Sequence, residues 1–216
     1  FGAGVCGSAC AAHCDGLTAS DCVYVSGTRA ETAFDAGAQR CIVFDGATAT
    51  GGGSGVTITA VQANSCVVVR NGARIEVAAG ATAVDVDGCV IVQRSTVRGS
   101  PAALDGRVRV RAGGALYAFD AELGDVSARV LTAERSLLVG SLIDCTTAYV
   151  RECTIEHDSG TSGGLTTQGT AVVRPANLAS TSAFRYVIDN IDVRNAGATI
   201  RGARASNLIE VTNVNI

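Results

Sequence analysis

Short apolar runs alternate along this chain with polar turns that carry glycine. Four of the runs share one phrase: Cys22-Val23-Tyr24-Val25, Cys41-Ile42-Val43-Phe44, Cys66-Val67-Val68-Val69 and Cys89-Val90-Ile91-Val92. Gly27, Gly46 and Gly72 follow three of them closely, and the phrase continues without its cysteine at Arg107-Val108-Arg109-Val110. A β-branched tetrad that returns at intervals of about two dozen residues or fewer predicts strands laid one on the next in a solenoid. Further strands are predicted at 74–77, 83–86, 95–97, 116–119, 137–139, 153–156, 186–188, 191–193 and 208–211. The series Val97, Tyr117, Leu138, Ile155 advances by 20, 21 and 17 residues, which suits a coil of two or three short strands. The glycine-rich stretches 51–55 and 159–164 read as looser corners. No helical pattern is long enough to cross between parallel strands of an open sheet, which argues against a doubly wound fold.

Helical spacing is confined to the start of the chain. Cys6, Cys10 and Cys14 fall on one stripe if 7–13 is helical, and 28–40 reads as a short amphipathic helix with Ala30, Ala33 and Phe34 on one side. The expected organisation is therefore a Cys-rich, partly helical cap over 1–40 followed by stacked coils over 41–216.

Alternate residues of a strand face opposite ways. With Val23/Val25, Ile42/Phe44, Val67/Val69, Val90/Val92 and Val108/Val110 pointing into the tube, Tyr24, Val43, Val68 and Ile91 point out, as do the tetrad cysteines unless these sit at a corner. In a fifth rung at 107–111 the outward positions become Arg107, Arg109 and Arg111. An apolar outer face is normally covered, here by the N-terminal segment or by a neighbouring copy. Rungs lie about 4.8 Å apart, and disulfides accept Cα separations of about 4.4–6.8 Å. A bridge, or a pair within bridging distance, is thus expected among Cys22, Cys41, Cys66 and Cys89; the rival is a reduced ladder of small buried side chains.

The run Asn71-Gly72-Ala73-Arg74-Ile75-Glu76-Val77-Ala78-Ala79-Gly80 is similar to the repeats of β-helical passenger and adhesin domains. The rungs over about 41–216 resemble the pectin-lyase-like superfamily, which implies an all-β, right-handed parallel β-helix. The resemblance lies in periodicity and turn style, so it bears on architecture and hardly on function.

Composition narrows the function. Nine cysteines in 216 residues point to an oxidising destination, extracellular or on a virion surface, and the odd number leaves one thiol free or linked to another chain. The candidates for disulfides are Cys6, Cys10, Cys14, Cys22, Cys41, Cys66, Cys89, Cys145 and Cys153. The chain has no Met, so Phe1 reads as a processed or trimmed end. A net charge of −3 gives no reason to expect nucleic acid, and no run of about 18 apolar residues is present to span a membrane.

Candidate chemistry is sparse. Cys6, Cys10, Cys14 and His13 lack the paired Cys spacing of structural zinc sites, so no metal is expected. No cofactor motif is present, since a phosphate-binding loop needs a lysine and the chain has none. Glu152, Glu156, His157 and Asp158 form the one dense ionisable cluster that includes a histidine. Such carboxylates suit glycosidic cleavage or Ca²⁺ binding. The chain lacks the Asn-Thr-Asp, Asp-Asp and Gly-His-Gly signatures of polygalacturonase-like members, and it has no Trp platform for sugar. Asp85/Asp87 and Asp120/Glu122 read as solvated outward carboxylates.

The final run, 208–216, is apolar without a polar cap, and an open terminal rung recruits another strand. The expectation is a non-enzymatic structural protein that self-assembles, head to tail or through disulfides, into an extracellular or virion-associated fibre, tubule or coat. Its expected contacts are Tyr24, Val43, Val68, Ile91, Leu208, Ile209, Val211, Val214 and Ile216. The alternatives are a carbohydrate-active β-helix (lyase, hydrolase or tailspike-like depolymerase) acting on a polysaccharide through the 152–158 cluster, and an adhesin fragment.

Overall fold

The computed structural model describes residues 19–80, 82–99, 106–111, 114–139, 142–156, 172–174, 185–194, 199–200 and 208–215. After a single 3₁₀ turn at Ala19–Asp21, the chain winds through repeating triplets of strands. The first coil holds β1 (Cys22–Val25), β2 (Thr28–Arg29) and β3 (Ala33–Asp35). The second holds β4 (Cys41–Asp45), β5 (Thr48–Ala49) and β6 (Thr57–Ala60). Next come β7 (Cys66–Arg70), β8 (Arg74–Val77) and β9 (Val84–Val86), then β10 (Cys89–Gln93), β11 (Thr96–Gly99) and β12 (Arg107–Val110). Each strand pairs in parallel with its counterpart one coil on, so three walls run the length of a parallel β-helix.

Beyond the fourth coil the corners shorten. β13 (Ala115–Phe119) and β14 (Glu122–Leu123) continue the first and second walls. The ten-residue β15 (Asp125–Glu134) pairs with β12 at its start and β13 at its end, so it runs from the third wall into the first without a loop. β16 (Leu137–Val139) extends the second wall, and β17 (Leu142–Arg151) stacks on β15. β18 (Thr154–Glu156), β19 (Val172–Arg174), β20 (Arg185–Arg194), β21 (Thr199–Ile200) and β22 (Leu208–Asn215) carry the stack onward.

Residues 28–40 are strands and a turn, not the helix expected from their spacing, and the coils begin at Cys22 rather than Cys41. The apolar spacing of Ala33 and Phe34 is met by a three-residue strand whose Phe34 ring packs edge-on against Phe44 at 5.2 Å. The expected helix over 7–13 lies outside the described residues.

The tube is filled by one residue per strand position. Ile42, Phe44, Val67, Val69, Val90, Val92, Leu116 and Ala118 of the first wall are all buried in one cluster with Ile75, Val97, Leu123 and Leu138 of the second and Ile58, Val84, Val108 and Val126 of the third. Register corrects two expectations. The second-wall column is Ile75, Val97, Leu123, Leu138, Ile155; Tyr117 belongs to the first wall, aligned with Ile91. Arg107–Val110 is likewise not the fifth rung of the cysteine wall but a third-wall strand, and the fifth rung is Ala115–Phe119.

Candidate functional site

Three features of the outer surface are candidates: a column of charged corners, the outer side of the first wall, and the terminal strand.

The first corner forms the same way in coil after coil. Gly27, Gly46, Asn71, Arg94, Asp120, Arg135 and Glu152 all have positive φ, between 47° and 66°. A non-glycine residue in this conformation costs about 1–2 kcal/mol, so five in succession need compensation. Part of it comes from the backbone: the N–H of Arg94 donates to the Phe119 carbonyl at 2.9 Å and that of Asp120 to the Glu134 carbonyl at 3.1 Å. Part comes from the small residues that follow, Ala47, Ala73, Ser95, Ala121, Ser136 and Cys153, all buried. The Ser95 hydroxyl donates to the Gln93 carbonyl at 2.9 Å and accepts from the Ala73 N–H at 3.1 Å, and Ser136 repeats the arrangement with the Glu134 carbonyl and the Ala121 N–H. Each serine thereby ties two coils together.

Charge alternates up this corner: Arg94, Asp120, Arg135, Glu152. Arg135 grips Asp120 with two donors, at 2.8 and 3.1 Å. The hydrogen bonds from Arg135 hold the Asp120 carboxyl below its ordinary range, with the charges of Arg135 and Arg94 assisting. Asp45 is held low by hydrogen bonds from Asn71 and Arg70, and Asp85 by those from Arg111. A carboxyl depressed by folding contributes stability that is complete above its unfolded value, near 3.8 here, and is lost as pH falls through the lower folded value. Acidification below about pH 4 is therefore expected to lower the melting temperature of the wild type more than that of a D45N/D85N/D120N variant. Parallel pH profiles for the two proteins would contradict this.

The ladder bears on the carboxylates singled out for hydrolytic chemistry. Glu152 is exposed at the corner and is one of the charges that raise the Arg135 pKa. Glu156 ends β18, while His157 and Asp158 lie outside the described residues. Asp120 and Glu122 do not face one another as an acid and base: Asp120 binds Arg135, and Glu122 accepts from Arg98 at 2.8 Å. Asp87 accepts the Asn64 N–H at 3.2 Å. No group of three metal-ligating side chains occurs among the described residues.

The outer side of the first wall is apolar and buried. Cys22, Cys41, Cys66 and Cys89 are in register one above the other, as the repeated phrase implies. Beside them stand Val43, Val68, Ile91 and Tyr117, and together these form a second cluster, separate from the tube interior. Val43, Val68 and Ile91 are 3%, 1% and 0% exposed within a single chain. They are thus not open to a neighbouring copy, contrary to expectation; Tyr24, 53% exposed at the first coil, is open. The stripe also does not turn into arginines at the fifth rung, where Ala115 and Tyr117 prolong it. Cys22, Cys41, Cys66 and Cys153 are thiols, whereas Cys89 is disulfide-bonded. Its partner is not Cys66, whose sulfur lies 4.0 Å away, about twice the length of an S–S bond. Cys145 is part of β17, and Cys6, Cys10, Cys14 and His13 lie outside the described residues.

The terminal strand is β22, which contains Leu208, Ile209, Val211 and Val214 and pairs along one edge with β20. No strand stacks on its other edge among the described residues. Ile216 lies outside them.

Sequence reading missed the left-handed corner, although a signal is present: a polar or glycine residue stands two positions after the last inward residue of each first-wall strand, as in Phe44-Asp45-Gly46 and Val92-Gln93-Arg94. No known protein family, curated protein or solved structure matches this chain.

Proposed function

We propose that this protein is a structural building block whose coils stack head to tail with those of further copies, forming an extracellular or virion-associated fibre, tubule or coat. The observation that carries this reading is the edge of β22, eight residues long, in register with the whole first wall and unpaired among the described residues. Such an edge is a template for another strand of the same direction.

The first coil offers a matching surface. Register runs without interruption from Val23 through Ile42, Val67, Val90, Leu116, Leu131, Ala148 and Tyr186 to Ile209, and from Val25 through the parallel column to Val211. One further rung places Val23 of the next copy on Ile209, Val25 on Val211, and the exposed Tyr24 beside Glu210. The contact joins two different surfaces, so repetition does not close on itself and yields a filament. The disulfide at Cys89 supports an oxidising location. No observation on the protein favours the polysaccharide-cleaving reading.

Two proline variants test the edge. Neighbouring residues of a strand aim their N–H groups at opposite sides, so of Val211→Pro and Thr212→Pro one removes a donor on the open edge and the other a donor bonded to β20. The open-edge variant is expected to lose assembly in sedimentation and negative-stain images while its melting temperature changes little. Wild-type protein that stays monomeric at every concentration contradicts the proposal, as does a pair of variants that both assemble normally.

A further inference from the structure

We infer that Asn71 is a deamidation site whose reaction the stacked coils hold back, and whose product, aspartate or isoaspartate, opposes restacking of the corner it came from. The inference is independent of assembly, since it concerns one chain.

The sequence sets the chemistry. Asn71 is the only asparagine of the chain that is followed by glycine. Asparagine loses its amide when the peptide nitrogen of the next residue attacks the side-chain carbonyl carbon, and glycine, without a Cβ, leaves that nitrogen least hindered. Asn71 and Gly72 are both exposed, and a Cβ on Gly72 would meet nothing within 4 Å, so water and base reach the pair. Asn64, the other asparagine with positive φ among the described residues, precedes Ser65, which is 0% exposed.

The stack holds both reacting groups. Asn71 sits at the first corner of the third coil with φ 59°. Its carboxamide donates to Oδ1 of Asp45, on the second coil, at 2.6 Å. The nucleophile is tied the other way: the Gly72 N–H donates to the Arg94 carbonyl of the fourth coil at 3.0 Å. Attack requires this nitrogen to give up its proton and turn onto the Asn71 side chain. The N–H must therefore leave Arg94, and the carboxamide must leave Asp45. Both bonds persist while the three coils keep register at this corner, so the reaction waits on local opening.

The steps balance with water and hydroxide alone. Hydroxide takes the Gly72 amide proton, and the nitrogen bonds to the side-chain carbonyl carbon of Asn71. The bond from that carbon to Nδ2 breaks, and ammonia leaves with a proton from water, which restores the hydroxide. Water then opens the cyclic imide. Opening at the side-chain carbon gives aspartate, and opening at the main-chain carbon gives isoaspartate, with the chain routed through Cβ. Either product removes the donor on Asp45 and sets a second carboxylate against it. The Asn71 hydrogen bond is the largest influence holding the Asp45 carboxyl below its ordinary range, ahead of that from Arg70. Isoaspartate also puts an extra carbon into the backbone between β7 and β8, both of which are in register with the coil before. A chain that has opened here is thereby marked.

Cleavage before aspartates identifies the product. The unmodified chain yields peptide 45–84, which an aspartate at position 71 divides into 45–70 and 71–84. Isoaspartate leaves 45–84 whole but heavier by the change from amide to acid, placed at position 71 by fragmentation. At mildly alkaline pH the reaction is expected to run at least about tenfold slower in folded protein than in the same protein unfolded in urea, since only the open fraction reacts. Asp45→Ala is expected to speed the folded-state reaction severalfold, and Asp45→Asn, which keeps an acceptor oxygen, to leave it near the wild-type rate. Asn71→Asp is expected to lower the melting temperature and to lose most of that effect when combined with Asp45→Asn. Equal rates in folded and unfolded protein, an Asp45→Ala rate no different from wild type, or an Asn71→Asp effect that ignores residue 45 would each overturn the inference.

Discussion

Gly55→Ala is expected to lower the melting temperature by roughly 10 °C, on the scale at which 1 kcal/mol moves a domain of this size by about 2–4 °C. Gly55 has φ +83°, and a Cβ there meets the backbone nitrogen of Ala78 and the carbonyl carbon of Val77, each at 2.5 Å. Neither atom is the end of a flexible side chain. Both belong to the next coil at a point pinned by hydrogen bonds: Val56 N–H donates to the Glu76 carbonyl at 2.8 Å, and Ala78 N–H to the Val56 carbonyl at 2.9 Å. The left-handed backbone adds about 1–2 kcal/mol and the collision about 1–3 kcal/mol. Gly52→Ala is the control. Its φ is +67° but a Cβ there meets nothing within 4 Å, so it bears the conformational term alone, about 1–2 kcal/mol. Equal effects from the two substitutions would mean that the coils are not in contact at this corner.

Phe44→Ala is expected to cost about 3–5 kcal/mol, read as a lower denaturation midpoint. The ring is 0% exposed, stands between Val25 and Val69 in the first-wall column, and meets Phe34 edge-on at 5.2 Å and 79°. Removing it empties a layer that three coils share, and the backbones on either side cannot close the gap without breaking the rung spacing. Phe44→Leu keeps most of the volume and is expected to cost under about 2 kcal/mol. A Phe44→Ala protein as stable as wild type would place this side chain outside the tube.

The tetrads made the first wall legible because each is a complete strand bracketed by turn residues, and the cysteine at its head marks the register directly. That is why Cys22, Cys41, Cys66 and Cys89 align as their sequence positions suggest. The second and third walls were harder. Their strands are as short as Thr48–Ala49 and Glu122–Leu123, and two residues carry no period. Coil length also drifts: first-wall positions Cys66, Cys89, Ala115, Val130 and Thr147 are successive partners in the stack, at intervals of 23, 26, 15 and 17 residues. A fixed step of about twenty therefore admitted Tyr117 to the wrong column. Residues 28–40 looked helical because a three-residue strand next to a turn leaves apolar residues at helix-like intervals. The apolar outer positions Val43, Val68 and Ile91 signalled a covered face, but not what covers it, since nothing in a strand's own sequence says whether its outer side is roofed by the same chain or by another.

The candidate chemistry divides in the same way. Carboxylates that look unpaired along the sequence, such as Asp85 and Asp120, meet their arginines only through stacking, 26 residues away at Arg111 and 15 away at Arg135. Spacing along the chain hides partners that are adjacent up the tube.

In the proposed assembly, coils of about 4.8 Å rise continue from one copy into the next along a single axis. Fibre diffraction from aligned preparations of the purified protein tests it most directly. The predicted pattern has a strong reflection near 4.8 Å on the meridian, parallel to the filament. A 4.8 Å reflection on the equator, showing copies associated side by side with their tubes across the filament, would contradict it, as would a preparation from which no filament forms.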